Sequence, residues 1–116
     1  MIEIRNLTKS FSGTPVLRGV SLNVRAGTTR VILGLSGSGK SVLMKHMIGL
    51  MKPDSGSIMV DGVDLTAMSG TGLLDIRRKF GMVFQQSALF DSMNVEENVA
   101  FPLKEHTKLK PAEIKE

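Results

Sequence analysis

The sequence predicts an α/β fold in which an antiparallel β part leads into a strand, a glycine-rich loop and a helix, with a short helical region to follow. Three observations carry that prediction. Apolar and polar residues alternate through much of the stretch from Ile2 to Val24, the period of half-buried strands. A β-branched apolar run, Thr28 to Leu33, then enters a loop with glycines at Gly34, Gly37 and Gly39. Directly after that loop the apolar residues fall at helical spacing.

Ile2, Ile4 and Leu7 mark a first strand, with the alternation imperfect. Val16 to Val24 marks a second, with Val20, Leu22 and Val24 on one face. Ala26-Gly27 is a turn signal, and Thr28–Leu33 reads as a short buried strand. A helix is expected from about Lys40 to Met51, with Leu43, Met47, Leu50 and Met51 on one face and Met44 and Ile48 beside them. Pro53-Asp54-Ser55-Gly56 starts a turn. Ser57 to Leu65 is the clearest hairpin, with Asp61-Gly62 suited to a type I′ turn between Ile58/Val60 and Val63/Leu65. A short helix over Leu73–Lys79 and a strand over Phe80–Phe84 come next, ending at Gln85-Gln86. Asn94 to about His106 has helical character that Pro102 should kink or end, and Pro111 suits the first position of another helix.

Length and composition bound the rest. A chain of 116 residues accommodates one domain at most, and 41% hydrophobic with 22% charged residues is ordinary for a globular protein. The apolar runs are too short to cross a bilayer, and the first residues lack a signal core, so a cytoplasmic location is expected. Having no cysteine excludes disulfides, thiolate metal sites and a cysteine nucleophile. A net charge of +4 permits contact with phosphates, nucleic acid or anionic lipid without selecting among them. With five Phe and no Tyr or Trp, platforms for stacking single-stranded bases are scarce, and no nucleic-acid partner is expected.

Gly34-Leu35-Ser36-Gly37-Ser38-Gly39-Lys40-Ser41 fits the phosphate-loop pattern G-x-x-x-x-G-K-[ST], between a predicted strand and a predicted helix. Each position has a chemical reason. Glycines let the backbone curl close to phosphate oxygens with no Cβ in the way. Amides of the loop and of the first helical turn, through Val42, point at the anion and are aided by the helix dipole. Lys40 supplies a point charge for the β- and γ-phosphates, and the Ser41 hydroxyl offers a ligand to the Mg²⁺ that bridges them. The pattern thus places the chain among P-loop NTPases that bind ATP or a related nucleotide. It does not name the reaction.

Three further stretches resemble the ATP-binding subunits of ABC transporters. The first is Ile4 to Phe11 followed by Val16 to Leu22, the second is Asp54-Ser55-Gly56-Ser57-Ile58 with Asp61-Gly62, and the third is Gly81 to Gln86 with Ala88-Leu89-Phe90 and Val95 to Val99. The resemblance covers nearly the whole chain. It implies that Phe11 stacks on adenine with Val16 beside the base; the alternative is that Phe11 packs under the first hairpin. It also implies that Gln85 reaches Mg²⁺ and the attacking water, making Lys40 and Gln85 the catalytic candidates and Ser41 and Gln85 the metal ligands. A neutral amide can bridge a cation and a water without adding charge.

The stretch from Gln86 to Val95, with Ala100 to Thr107, is similar to the ATPase of Mla/Mce-associated transporters, which implies phospholipid or another hydrophobic substrate. Leu35 and Ser87 stand where proline is frequent in the wider family, and neither change removes a ligand. The implied segments are 1–33 and 53–66 for the β part, 34–52 for the loop and helix, 67–90 for a core helix, strand and Q-loop, and 91–116 for the start of a helical subdomain. The implied partners are ATP, a second ATPase subunit in a head-to-tail dimer, and a transmembrane permease that would hold the protein on the cytoplasmic face of the inner membrane. The Walker B aspartate, its neighbouring glutamate, the switch histidine and the signature motif of the family are expected beyond Glu116. These 116 residues alone are therefore expected to bind nucleotide without turning it over. The alternatives are a stand-alone nucleotide-binding module and an ABC ATPase of a non-lipid importer or non-transport system.

His46, on the predicted loop helix, and His106, in a charged stretch, lie far apart in sequence without other ligands near them. Arg77-Arg78-Lys79 complements the dipole at a helix end.

Overall fold

The computed structural model describes residues 1–86 and 88–116, so the departure at Ser87 lies outside the described residues. The described residues gather into two units, Met1–Gly81 and Met82–Glu116.

The first unit is built on a four-stranded antiparallel sheet of β1 (Ile2–Phe11), β2 (Thr14–Val24), β3 (Ser55–Val60) and β4 (Val63–Asp64), in the order β2-β1-β3-β4. Two tight turns set its register. Ser12 and Gly13 both have positive φ (49° and 80°) between the paired Phe11 and Thr14, the geometry of a type I′ hairpin. Asp61 and Gly62 repeat it at 47° and 82° between Val60 and Val63, as the Asp-Gly pair predicts. β1 and β3 then meet antiparallel, with Ile4 opposite Ile58. Gly56 permits that approach, because a Cβ there would lie 2.5 Å from the Asn6 carbonyl oxygen.

One face of the sheet supplies Ile4, Leu7, Leu17, Ile58 and Val60 to the core. Helix α1 (Lys40–Met47) adds Leu43 and Met47, and α2 (Thr71–Arg77) adds Ile76. Leu65 joins them from a 3₁₀ turn (Leu65–Ala67), whose first free amide, that of Thr66, donates to the Asp64 carboxylate at 2.8 Å. The hairpin's return arm is therefore only two residues long, shorter than the alternation to Leu65 predicts.

Helix α1 also stops earlier than its apolar spacing implies, at Met47 rather than Met51. Gly49 is the reason. At φ 71° its amide donates to His46 O (3.0 Å) and that of Leu50 donates to Lys45 O (2.9 Å), the paired bonds of a Schellman cap. Leu50 is left exposed. Arg77 of α2 closes the same end, donating from Nε to Ile48 O at 3.2 Å and from Nη2 to Gly49 O at 2.6 Å.

Two expected strands are not formed. Thr28–Leu33, which includes the strand leading into the phosphate loop, and Phe80–Phe84 have no ladder partner among the described residues. Backbone without a hydrogen-bonded neighbour does not make a strand, whatever its side chains prefer. The side chains of the first run still alternate: Ile32 packs against the core, while Val31 and Leu33 are 70% and 89% exposed. Phe80 likewise packs inward.

The second unit holds α3 (Val95–His106) and α4 (Pro111–Lys115). Asn94 caps α3 in a reciprocal box with Glu97, the two bonds being 2.9 and 2.8 Å. The Asn98 amide ties the preceding loop down, accepting from Phe90 N and donating to the carbonyls of Phe90, Met93 and Asn94. The Phe90 and Phe101 rings pack tilted at 56° with centroids 4.8 Å apart. Pro102 does not end the helix. It removes only the bond to Asn98 O, and both ends are held, since Thr107 donates from its amide and hydroxyl to Leu103 O. Pro111 opens α4 as its position predicts. No helix among the described residues is long and apolar enough to cross a membrane.

Candidate nucleotide-binding site

The site begins where α1 begins. Its N-cap is Gly39, at φ 97° and ψ 8°, and no side chain caps the helix there. The first intrahelical bond runs from Leu43 N to Gly39 O at 2.9 Å. That leaves the amides of Lys40, Ser41 and Val42 without intrahelical acceptors, at the positive end of the helix dipole. Ser41 is exposed on this first turn, whereas Val42 is half-buried and packs against the core.

The loop ahead of the helix is drawn together by one side chain. Lys40 Nζ donates to Gly34 O (2.5 Å), Leu35 O (2.7 Å) and Ser38 Oγ (3.3 Å). Ser38 N donates to Leu35 O at 3.1 Å and tightens the same turn. An ammonium has three donors, so all three are spent on the loop, and an arriving anion must exchange with at least one. A Cβ on Gly34 would come within 2.6 Å of Ser38 Oγ, a contact that rotation of the exposed serine side chain would relieve. Leu35, Ser36, Gly37 and Ser38 are exposed, and Gly37 has φ 78°.

The loop is seated on the sheet at one point. A Cβ on Gly39 would meet Val16 Cγ1 at 3.1 Å, Val16 O at 3.3 Å and Leu17 Cδ2 at 3.4 Å. Val16 is therefore brought against the helix start. Phe11, paired with Thr14 at the hairpin tip, is 41% exposed and outside the core cluster. Two residues of strand, about 7 Å, separate Thr14 from Val16. Gln85 is exposed in a turn in the second unit, at no strand end.

Sequence reasoning did not anticipate the contacts that four residues make in this unit. Lys9 lies over the Phe11 ring and pairs with Asp54, Arg77 holds the far end of α1, and His46 is fully buried on that helix with Nδ1 2.7 Å from Val42 O. Only Lys9 carried a local signal, since it lies two residues before Phe11 on the same strand.

The model of the family described as ABC transporter matches residues 17–116 of the chain. The chain belongs to the ABC transporter family. It is 50% identical over 115 residues to a probable ribonucleotide transport ATP-binding protein of Mycobacterium leprae, covering 99% of this chain and 33% of the relative. It is 43% identical over 106 residues to the methionine import ATP-binding protein MetN of Caulobacter vibrioides, covering 90% and 32%. To the intermembrane phospholipid transport system ATP-binding protein MlaF of Haemophilus influenzae it is 38% identical over 109 residues, covering 94% and 41%. This ABC chain thus spans about a third of the length of the curated relatives first matched. Among solved structures, a dimeric post-hydrolysis state of an ATP-binding cassette bound to ADP and Pi superposes with a TM-score of 0.90 at 32% identity, covering 99% of this chain and 53% of that one. The fold is that of an ABC ATPase cassette. The expected Mla likeness is one of several, and identity is higher to the ribonucleotide and methionine relatives than to MlaF.

Proposed function

We propose that this chain is the nucleotide-binding part of an ABC transporter's ATPase subunit, and that it holds Mg-ATP on the Gly34–Ser41 loop. The observation that carries this reading is the uncapped start of α1 with Lys40 gathered onto the loop carbonyls. Amides of Gly37 to Val42 would face the phosphates, and Lys40 would trade a loop carbonyl for the β- and γ-oxygens. The Ser41 hydroxyl would take Mg²⁺, which supplies charge neutralisation at the bridging oxygens when bound. Phe11 and Val16 would hold the base, with Leu35 and Ser36 on the rim of the cradle. Gln85 would contribute its amide to Mg²⁺ and the attacking water when the catalytic site is complete.

In the intact protein, ATP hydrolysis in a head-to-tail pair of ATPase subunits would drive a membrane permease, at the cytoplasmic face of the inner membrane. The relatives divide on the cargo. The likeness to MlaF supports a phospholipid or other hydrophobic substrate. Methionine import and putrescine transport proteins, at 43% and 45% identity, support a non-lipid importer.

Calorimetric titration with Mg-ATP tests the site. Lys40→Ala should weaken binding about 10- to 100-fold, the loss of a charge-assisted contact, while circular dichroism stays unchanged. Equal binding by the folded variant would refute the assignment.

A further inference from the structure

The exposed ring of Phe11 does not stand alone. Lys9 lies two residues earlier on β1, and its ammonium sits 5.6 Å from the Phe11 ring centroid, over the ring. That ammonium is itself fixed. It donates to Lys52 O at 2.9 Å and lies 3.5 Å from Asp54 Oδ1, with the Lys9 side chain 21% exposed. Asp54 is in turn bonded to β1 on both sides of Lys9, its amide donating to Thr8 O (2.9 Å) and its Oδ2 accepting from Ser10 N (2.7 Å). The cation is thus locked into the junction between β1 and the turn that follows α1, and the ring is held against it.

We propose that Lys9 is a positioning residue for a purine base on Phe11, acting through the ring and not by touching nucleotide. This rests on the reading of Phe11 as the base platform. A cation over one face of an aromatic ring is attracted to its π-density and draws that density toward itself. The opposite face becomes less negative and a better partner for an electron-rich purine. Held in one orientation by the lysine, the ring also gives up less freedom when a base arrives. Asp54 is the counter-charge that keeps the ammonium in place.

The role predicts an effect on base binding separate from phosphate binding. Titrations of the protein with Mg-ATP and with inorganic triphosphate are compared for wild type, Lys9→Met, Lys9→Gln and Lys9→Arg. Glutamine keeps a donor for Lys52 O without the charge, and arginine keeps the cation. Lys9→Met and Lys9→Gln should weaken ATP about two- to five-fold and leave triphosphate affinity unchanged, the size of an exposed cation–π contact. Lys9→Arg should bind both ligands as wild type does. In a Phe11→Leu background the Lys9 effect should vanish. Equal weakening of ATP and triphosphate, or unchanged ATP affinity in Lys9→Gln, would overturn the proposal. If Phe11→Leu itself leaves ATP affinity intact, the base platform is what fails, a result separable from the lysine's.

Discussion

Gly39 is the residue at which the phosphate loop and the sheet meet, and replacing it by alanine tests that junction directly. Two penalties add. An L-residue in the left-handed region costs about 1–2 kcal/mol, and φ 97° lies beyond the centre of that region. The new methyl would also press on Val16 Cγ1 at 3.1 Å and on the Val16 carbonyl oxygen at 3.3 Å. The side chain can give, but the carbonyl is held in β2, so overpacking should add about 1 kcal/mol or more. Gly37→Ala supplies the reference, because Gly37 has φ 78° in the same loop and a Cβ there would meet nothing within 4 Å. Urea unfolding without nucleotide should therefore place Gly39→Ala below Gly37→Ala by about 1 kcal/mol, roughly a 1 M shift in midpoint for a slope near 1 kcal/mol/M. Val16→Ala removes Cγ1, so a double-mutant cycle should recover about 0.5–1 kcal/mol of coupling. Equal stability of the two glycine variants, or strict additivity in the cycle, would refute the reasoning.

Two predictions concern the supports of this arrangement. Arg77→Met removes both guanidinium donors to Ile48 O and Gly49 O, so it should cost about 2–3 kcal/mol by denaturant unfolding, with faster amide exchange at Gly49 and Leu50. The Asp61 carboxyl is held below its ordinary range, first by its hydrogen bond to the Met1 ammonium and then by that group's charge; desolvation opposes them, and Lys79 adds the smallest downward pull. A lowered folded value means that this stabilisation is complete above the unfolded pKa of about 3.9 and is lost as pH falls through the folded value. Asp61→Asn, which keeps the turn geometry, should flatten the stability profile below about pH 4, and an unaltered acid limb in the variant would exclude the contact.

Much of this molecule was legible because its signals are local. A type I′ turn at Asp61-Gly62 needs only two residues that tolerate positive φ, and the phosphate loop needs glycines where backbone must curl and a lysine that reaches back. Asn94 and Pro111 mark helix starts by chemistry confined to one turn. Even the early end of α1 was written locally: Gly49 is a C-cap signal, and helical periodicity through Leu50 and Met51 masked it.

The remainder depended on partners far along the chain. Thr28–Leu33 and Phe80–Phe84 have strand composition, but a strand exists only where another backbone meets it, and composition cannot announce that neighbour. The burial of His46 and the closing of α1 by Arg77 29 residues away from Ile48 came from packing. So did the seating of Gly39 on Val16 and the locking of Lys9 between Phe11, Lys52 and Asp54. Phosphate-loop chemistry follows from eight consecutive residues. The proposed base platform, by contrast, rests on a sheet and turn that bring Lys9 to Phe11 and Asp54 to Lys9, and sequence order alone does not bring position 54 to position 9.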